Sequence, residues 1–172
     1  MKLKDQITKG LMNFAKGNPY DIVIPNFFLG RWECDMFKLT KSGLVVEYEI
    51  KTTVSDYKKD FEKAIGKYDE HYNIVKHLKH DAVKAGERCN RFIFVCPEEI
   101  VSKIAVPEYC GLLSYHNYGN RYGYFKVVKN AKIISKTRYD TLAFYRELAT
   151  SLAFREQILR IKIDRLNEKR KG

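Results

Sequence analysis

Two carboxylates and a lysine carry the chemistry open to this sequence. Glu49 and Lys51 stand two apart at the end of an alternating stretch, Leu44 to Lys51. In a strand, neighbours at that spacing project from one face. Glu47 shares the face one step earlier. On the preceding alternating stretch Glu33 and Asp35 also share a face, and pairing through the Lys41-Ser42-Gly43 turn brings that strand beside the second; if the faces match, Asp35 and Glu49 converge. Two such carboxylates repel unless a divalent cation sits between them, and hard oxygen ligands suit Mg²⁺ or Mn²⁺. A neighbouring ammonium can hold or help activate an attacking water and offset charge building on a phosphate in transit, while the metal polarises the phosphoryl oxygen. The corresponding reaction is hydrolysis of a phosphodiester. An E-x-K triplet alone is commonplace, and on a solvent face it is an ion pair worth little. The carboxylate one strand earlier, a helix directly after it and a strongly basic chain raise its weight.

The elements that must position these groups follow from periodicity. Leu3, Ile7, Leu11 and Phe14 form one stripe, and Gly17 and Pro19 stop it, so Lys2 to Lys16 reads as an amphipathic helix. Tyr20 to Leu29, interrupted by Pro25, reads as an edge or bulged strand, and Trp32 to Thr40 with Leu44 to Lys51 as a hairpin. From Ser55 to Ala85 apolar residues recur at three- and four-residue steps (Tyr57, Phe61, Ala64, Ile65, Tyr68, Tyr72, Val75), which predicts one long helix capped by Ser55 and closed by Gly86. Arg91 to Cys96 is a nearly continuous apolar run, as in a strand covered on both faces. A short helix at Glu98 to Lys103, a strand at Gly111 to Tyr115, the turn around Gly119 and a strand at Tyr122 to Val128 complete an α/β unit. The stretch from Arg138 to Lys171 lacks Gly and Pro and repeats Tyr145, Leu152, Leu159 and Leu166 at intervals of seven. Residues 1–137 thus form one domain, and 138–172 a basic helical extension.

Composition narrows the function classes. The chain has 172 residues, 45% of them hydrophobic, enough to bury a core. Lys and Arg number 32 against 21 Asp and Glu, a formal charge of +11, which points to a polyanionic partner. No apolar run approaches the roughly 20 residues that span a bilayer. The first residues lack the pattern of a signal peptide, so a cytoplasmic location is expected. There Cys34, Cys89, Cys96 and Cys110, with no C-x-x-C spacing, stay as free thiols in or near the core.

The order helix, strand, Asp35-bearing strand, strand ending Glu49-Ile50-Lys51, helix, apolar strand resembles the αβββαβ core of the PD-(D/E)XK nuclease superfamily. The segments Leu29-Gly30-Arg31-Trp32-Glu33-Cys34-Asp35, Val46 to Tyr57, Cys89 to Pro97 and Pro107 to Leu112 resemble its MmcB-like DNA-repair-associated branch, over about Tyr20 to Val128. The resemblance implies a restriction-endonuclease-like fold with a mixed central sheet and metal-dependent DNA cleavage in repair or processing. It places Asp35, Glu49 and the Ile50 carbonyl on Mg²⁺ or Mn²⁺, and Lys51 at the water. Relative to that branch, Tyr72 to Arg88 looks like an insertion that lengthens the helix. Because members keep the fold after losing activity, a non-cutting module that binds DNA or protein is the alternative.

Other residues have weaker readings. Lys58, Lys59, Lys63 and Lys67, as a group on the helix after the site, and Arg121 in the second hairpin are candidates for phosphate contact. Tyr115, His116, Tyr118, Tyr122 and Tyr124 are explained by cross-strand packing or by base stacking. Asp5 is a candidate further metal ligand from the first helix. His71, His77 and His80 lack a fourth ligand, so no zinc site is expected. Asp56 and Asp60 complement a helix start. The heptad spacing in the last helix admits a homodimer, although charged Arg155, Lys162 and Lys169 interrupt a full seam.

Overall fold

The computed structural model describes residues 1–29, 32–68, 74–117, 119 and 123–169. The chain divides into two units, Met1–Tyr139 and Asp140–Gly172. The first is an α/β fold, with the elements α1 (Leu3–Ala15), β1 (Ile22–Leu29), β2 (Trp32–Leu39), β3 (Val45–Ile50), α2 (Val54–Asp60), β4 (Ala64–Tyr68), β5 (Ile74–Leu78), α3 (Lys79–Lys84), β6 (Arg91–Pro97), α4 (Glu98–Val101), β7 (Cys110–His116) and β8 (Tyr124–Lys129). The second unit contains a single long helix, α5 (Leu142–Lys169), which exposes Leu159, Ile163 and Leu166. Among the described residues no helix is long and apolar enough to cross a membrane.

Six strands form one sheet in the order β1-β2-β3-β6-β7-β8. Strands β3, β6 and β7 run parallel and the remaining neighbours antiparallel, so the sheet is mixed. Period-two alternation divides β3 between two environments. Val46, Tyr48 and Ile50 pack with Val95, Leu113 and Tyr115 under Ile7, Leu11 and Ala15 of α1. The alternate residues Glu47 and Glu49 point to the opposite face. There, Phe94 meets Tyr57 of α2 at 4.9 Å between ring centroids, and Phe92 meets His80 of α3 at 5.3 Å. Gly111 allows the loop after β8 to lie against β7, because a Cβ there would stand 2.9 Å from the Ala131 nitrogen.

The expected helix from Ser55 to Ala85 is not one helix. Helix α2 ends at Asp60, and β4 and β5 pair antiparallel as a separate two-stranded sheet before the short α3. A glycine at 66 weakens a helix there, and Ile65, Ile74 and Val75 are β-branched, so strand pairing overrides the three-to-four spacing of the apolar residues. Within the segment read as an insertion lengthening a helix, Ile74 to Lys84 therefore form β5 and α3. The cap of α2 also differs from expectation: Thr53, not Ser55, accepts the N–H of Asp56, at 3.1 Å. All four cysteines are free and buried.

Candidate active site

Asp35 lies where β1 and β2 lose regular pairing. Asn26, left-handed at φ 47°, interrupts β1 between the pairs Pro25↔Met36 and Phe27↔Cys34. On the other side, the ladder between β2 and β3 ends at Met36↔Tyr48. The Asp35 side chain takes over there: its Oδ2 accepts the Ile50 N–H at 2.7 Å, which sets the carboxylate against the peptide joining Glu49 to Ile50. Its Oδ1 receives the Lys4 ammonium at 2.7 Å from the first turn of α1. Asp5, the acidic neighbour considered as a ligand, is exposed.

Glu49 is buried on the face opposite α1 and is surrounded by lysines. Its Oε1 accepts from Lys51 at 2.9 Å and Lys63 at 3.0 Å, and its Oε2 from Lys79 at 2.9 Å. Lys51 turns back from the end of β3 and donates also to Asp60 Oδ1 at 2.8 Å, with Asp56 at 3.8 Å. Asp60, at the last turn of α2, has a fully buried side chain. It accepts from His80 Nε2 at 2.9 Å and stands 2.7 Å from Lys63 and 3.6 Å from Lys79. The Nδ1 of His80 is held by the Tyr109 hydroxyl at 2.9 Å. Thus α2, the β4–β5 hairpin and α3 close over the carboxylates with matching cations.

A second layer lies behind it. Glu47 accepts the Trp32 indole N–H at 2.7 Å and faces Arg88 Nε at 3.4 Å and Lys79 at 3.9 Å. The Arg88 guanidinium covers the Trp32 ring at 4.5 Å and donates to the Trp32 carbonyl. Desolvation dominates Glu47 and raises its carboxyl above the usual range despite Arg88 and Lys79. For Glu49, burial pushes the same way, but Lys79, Lys51 and Lys63 together lower it. Burial also opposes ionisation of Asp60, and the His80 hydrogen bond with Lys79 and Lys51 brings it well below the usual range. Burial likewise disfavours the Lys79 ammonium, yet Glu49, Glu47 and Asp60 raise it.

The structure brings Glu49, Lys51 and Asp35 to one strand end, it sets Lys63, expected at a phosphate, on Glu49 and Asp60, and it adds Lys4, Asp60, Lys79 and His80, which sequence reasoning had not assigned to the site. Asp56 and Asp60, one helical turn apart, were the available signal for the acidic partner of Lys51. Lys79 and His80 had none. Lys58 and Lys59 are exposed on α2, whereas Lys63 follows the helix and Lys67 belongs to β4, so the four lysines do not form one helical row. His77 lies in β5, 3.9 Å from Glu87, while His80 begins α3, so these histidines do not share a helix face. Tyr115 is packed against Phe125 in the core under α1, as cross-strand packing requires. His71, Tyr72, Tyr118, Arg121 and Tyr122 lie outside the described residues.

Among the described residues no three or more His, Cys, Asp or Glu side chains are grouped to hold a metal ion. The donors that the family resemblance implies for a divalent cation would be two carboxylates, Asp35 and Glu49, with the Ile50 carbonyl. All are hard oxygens, and this chemistry fits Mg²⁺ or Mn²⁺. Two half-exposed lysines, Lys4 at 49% and Lys63 at 47%, place cationic groups on Asp35 Oδ1 and Glu49 Oε1 from the solvent side. Long side chains reaching in from the surface can withdraw when another cation enters.

No protein-family model and no curated protein matches the chain. It is similar to a solved structure, the SPO1766 protein of unknown function from Silicibacter pomeroyi, with 18% identity and a TM-score of 0.60 over 93% of this chain and 92% of that one. That likeness shows a shared fold.

Proposed function

We propose that the chain is a metal-dependent nuclease that hydrolyses DNA phosphodiesters in repair or processing, on a restriction-endonuclease-like core of the PD-(D/E)XK type. The succession α1, β1, β2, β3, α2, β6 has the αβββαβ order, with the β4–β5 hairpin and α3 set in before the last strand. One observation carries the reading: Lys51 is buried and bonded to Glu49 at 2.9 Å, while the Asp35 carboxylate rests on the peptide between Glu49 and Ile50.

Asp35, Glu49 and the Ile50 carbonyl would hold Mg²⁺ or Mn²⁺, which would polarise the phosphoryl oxygen and acidify a bound water. Lys51 has three donors, of which Glu49 and Asp60 take two; the third would serve the water or a phosphate oxygen, where its charge would offset that of the transition state. Asp60, fixed by His80, keeps the ammonium at the strand end. Exposed Lys58 and Lys59 on α2, with the overall charge of +11, favour the phosphate backbone without reading sequence. The test is incubation of the protein with plasmid and with single-stranded DNA plus Mn²⁺ or Mg²⁺, beside a Glu49→Ala, Lys51→Ala double variant. Cutting that needs metal and disappears in the variant supports the enzyme.

A second reading, a nuclease-like module that binds DNA or protein without cutting, is favoured by Lys79. It is buried, with a side chain 2% exposed, and holds Glu49 Oε2 at 2.9 Å, so it lacks the freedom of Lys4 or Lys63 to make way for a metal. DNA binding unchanged by the double substitution, with no cutting under either metal, supports this module.

A further inference from the structure

The parallel strands β3, β6 and β7 end side by side, and their register continues the candidate site across the sheet. Ile50 pairs with Val95 and Cys96 with Ser114, so Lys51, Cys96 and Ser114 fall in one row. Cys96 and Ser114 alternate with Val95 and Leu113, which pack beneath α1, and so share the face of Glu49. Two strand spacings separate Lys51 from Ser114, about 10 Å. Beyond the carboxyl ends of parallel strands is where open α/β sheets bind ligands.

A cleft of ≈ 570 Å³ opens at Ser114. Val101 and Ser102 form one wall, Lys126 and Val128 of the edge strand β8 the other, and Ser114 and His116 the floor. The floor is polar yet buried, at 3% and 7% exposure. His116 is fixed: its Nδ1 stands 2.7 Å from Glu98 Oε2, and its ring stacks on Tyr124 at 4.6 Å and 6° between planes. Apolar side chains, here Val101, Val127 and Val128, interleaved with a few fixed polar groups characterise small-ligand pockets. The charges select among them. The Glu98 carboxylate and the Lys126 ammonium both line the cleft and offset one another, so no net charge favours a phosphate, whereas a neutral ring bearing amino and carbonyl groups finds acceptors in Glu98 and Ser114 and donors in Ser114 and Lys126.

We propose that this cleft receives an unpaired nucleobase of the strand whose phosphate lies at Asp35, Glu49 and Lys51, which makes single-stranded DNA the substrate. The inference rests on the nuclease reading of those three residues. A base in a duplex is stacked and paired and would have to leave the helix to enter, whereas a single strand offers its bases directly.

The test is fluorescence anisotropy with a short labelled oligonucleotide and its duplex in EDTA, so that binding is read without cutting. Wild-type protein is expected to bind the single strand about tenfold more tightly than the duplex, the effect of one well-held base. Val128→Trp, at a half-exposed edge position, fills the cleft and removes that preference with the melting temperature unchanged. Ser102→Trp repeats the test from the opposite wall should the first variant fold poorly. Equal affinity for the two DNA forms, or a filled cleft that leaves single-strand binding intact, overturns the base subsite. Failure to cut with the preference retained instead refutes the nuclease reading and leaves the subsite standing.

Discussion

The Lys51 ammonium lies 2.8 Å from Oδ1 of Asp60, a carboxylate with no exposed side-chain surface. This contact ties the end of β3 to the end of α2, and through the other oxygen of Asp60 to His80 at the start of α3. A buried charge that loses its counter-charge costs far more than the intact pair contributes. Asp60→Asn should therefore lower the unfolding free energy by about 3–5 kcal/mol in urea titration. A loss below about 1 kcal/mol, the range of surface ion pairs, would contradict this placement.

The pH dependence has a definite sign. Asp60 and Glu49 are held below their ordinary values of 3.8 and 4.5, so the stability they contribute is present above those values and is lost as pH falls through and below them. Glu47, raised above 4.5 by burial, acts oppositely: its contribution is complete below its ordinary value and diminishes as pH rises through the folded one. With two groups against one, the urea midpoint should drop on acidification below the ordinary carboxylate range. In Asp60→Asn the drop should be shallower, and an unchanged acid profile in the variant would count against Asp60 as a source of it.

Lys4 and Lys63 should behave unlike Lys79. Replacing either lysine by Ala should change stability by no more than about 1 kcal/mol at Lys4 and by more at Lys63, whose partner Asp60 is fully buried. It should also tighten Mn²⁺ binding in calorimetry, because an ammonium competing for Asp35 or Glu49 is gone. Lys79→Met should be strongly destabilising. Weaker Mn²⁺ binding in Lys4→Ala and Lys63→Ala would exclude these carboxylates as the metal donors.

Trp32, the single tryptophan, donates its indole N–H to the buried Glu47 at 2.7 Å. Trp32→Phe leaves that oxygen without its donor and should cost about 1–3 kcal/mol in urea unfolding. A neutral substitution would mean that Glu47 is satisfied by Arg88 and Lys79 alone.

The hairpin that presents Asp35 and Glu49 was legible because alternation and the Lys41-Ser42-Gly43 turn act locally, and the observed β2 and β3 differ from the expected bounds by a residue at each affected end. The stretch after α2 was not, because Tyr57 to Val75 satisfies helical spacing although its β-branched residues pair as strands. That error hid the site's cations: Lys79 and His80 are brought to Glu49 and Asp60 by a hairpin that periodicity did not reveal. Lys4 was equally hidden, since a surface lysine on an amphipathic helix carries no local sign that its stem reaches a carboxylate one layer away.

The most direct test of the central claim is a time course of labelled DNA with and without Mn²⁺, wild type beside Asp35→Asn. The proposed nuclease reading predicts cutting only with metal, and a loss of about a hundredfold or more when Asp35 can no longer supply its charge. Cutting that persists in EDTA, cutting undiminished in the variant, or DNA that binds and is never cut would contradict it.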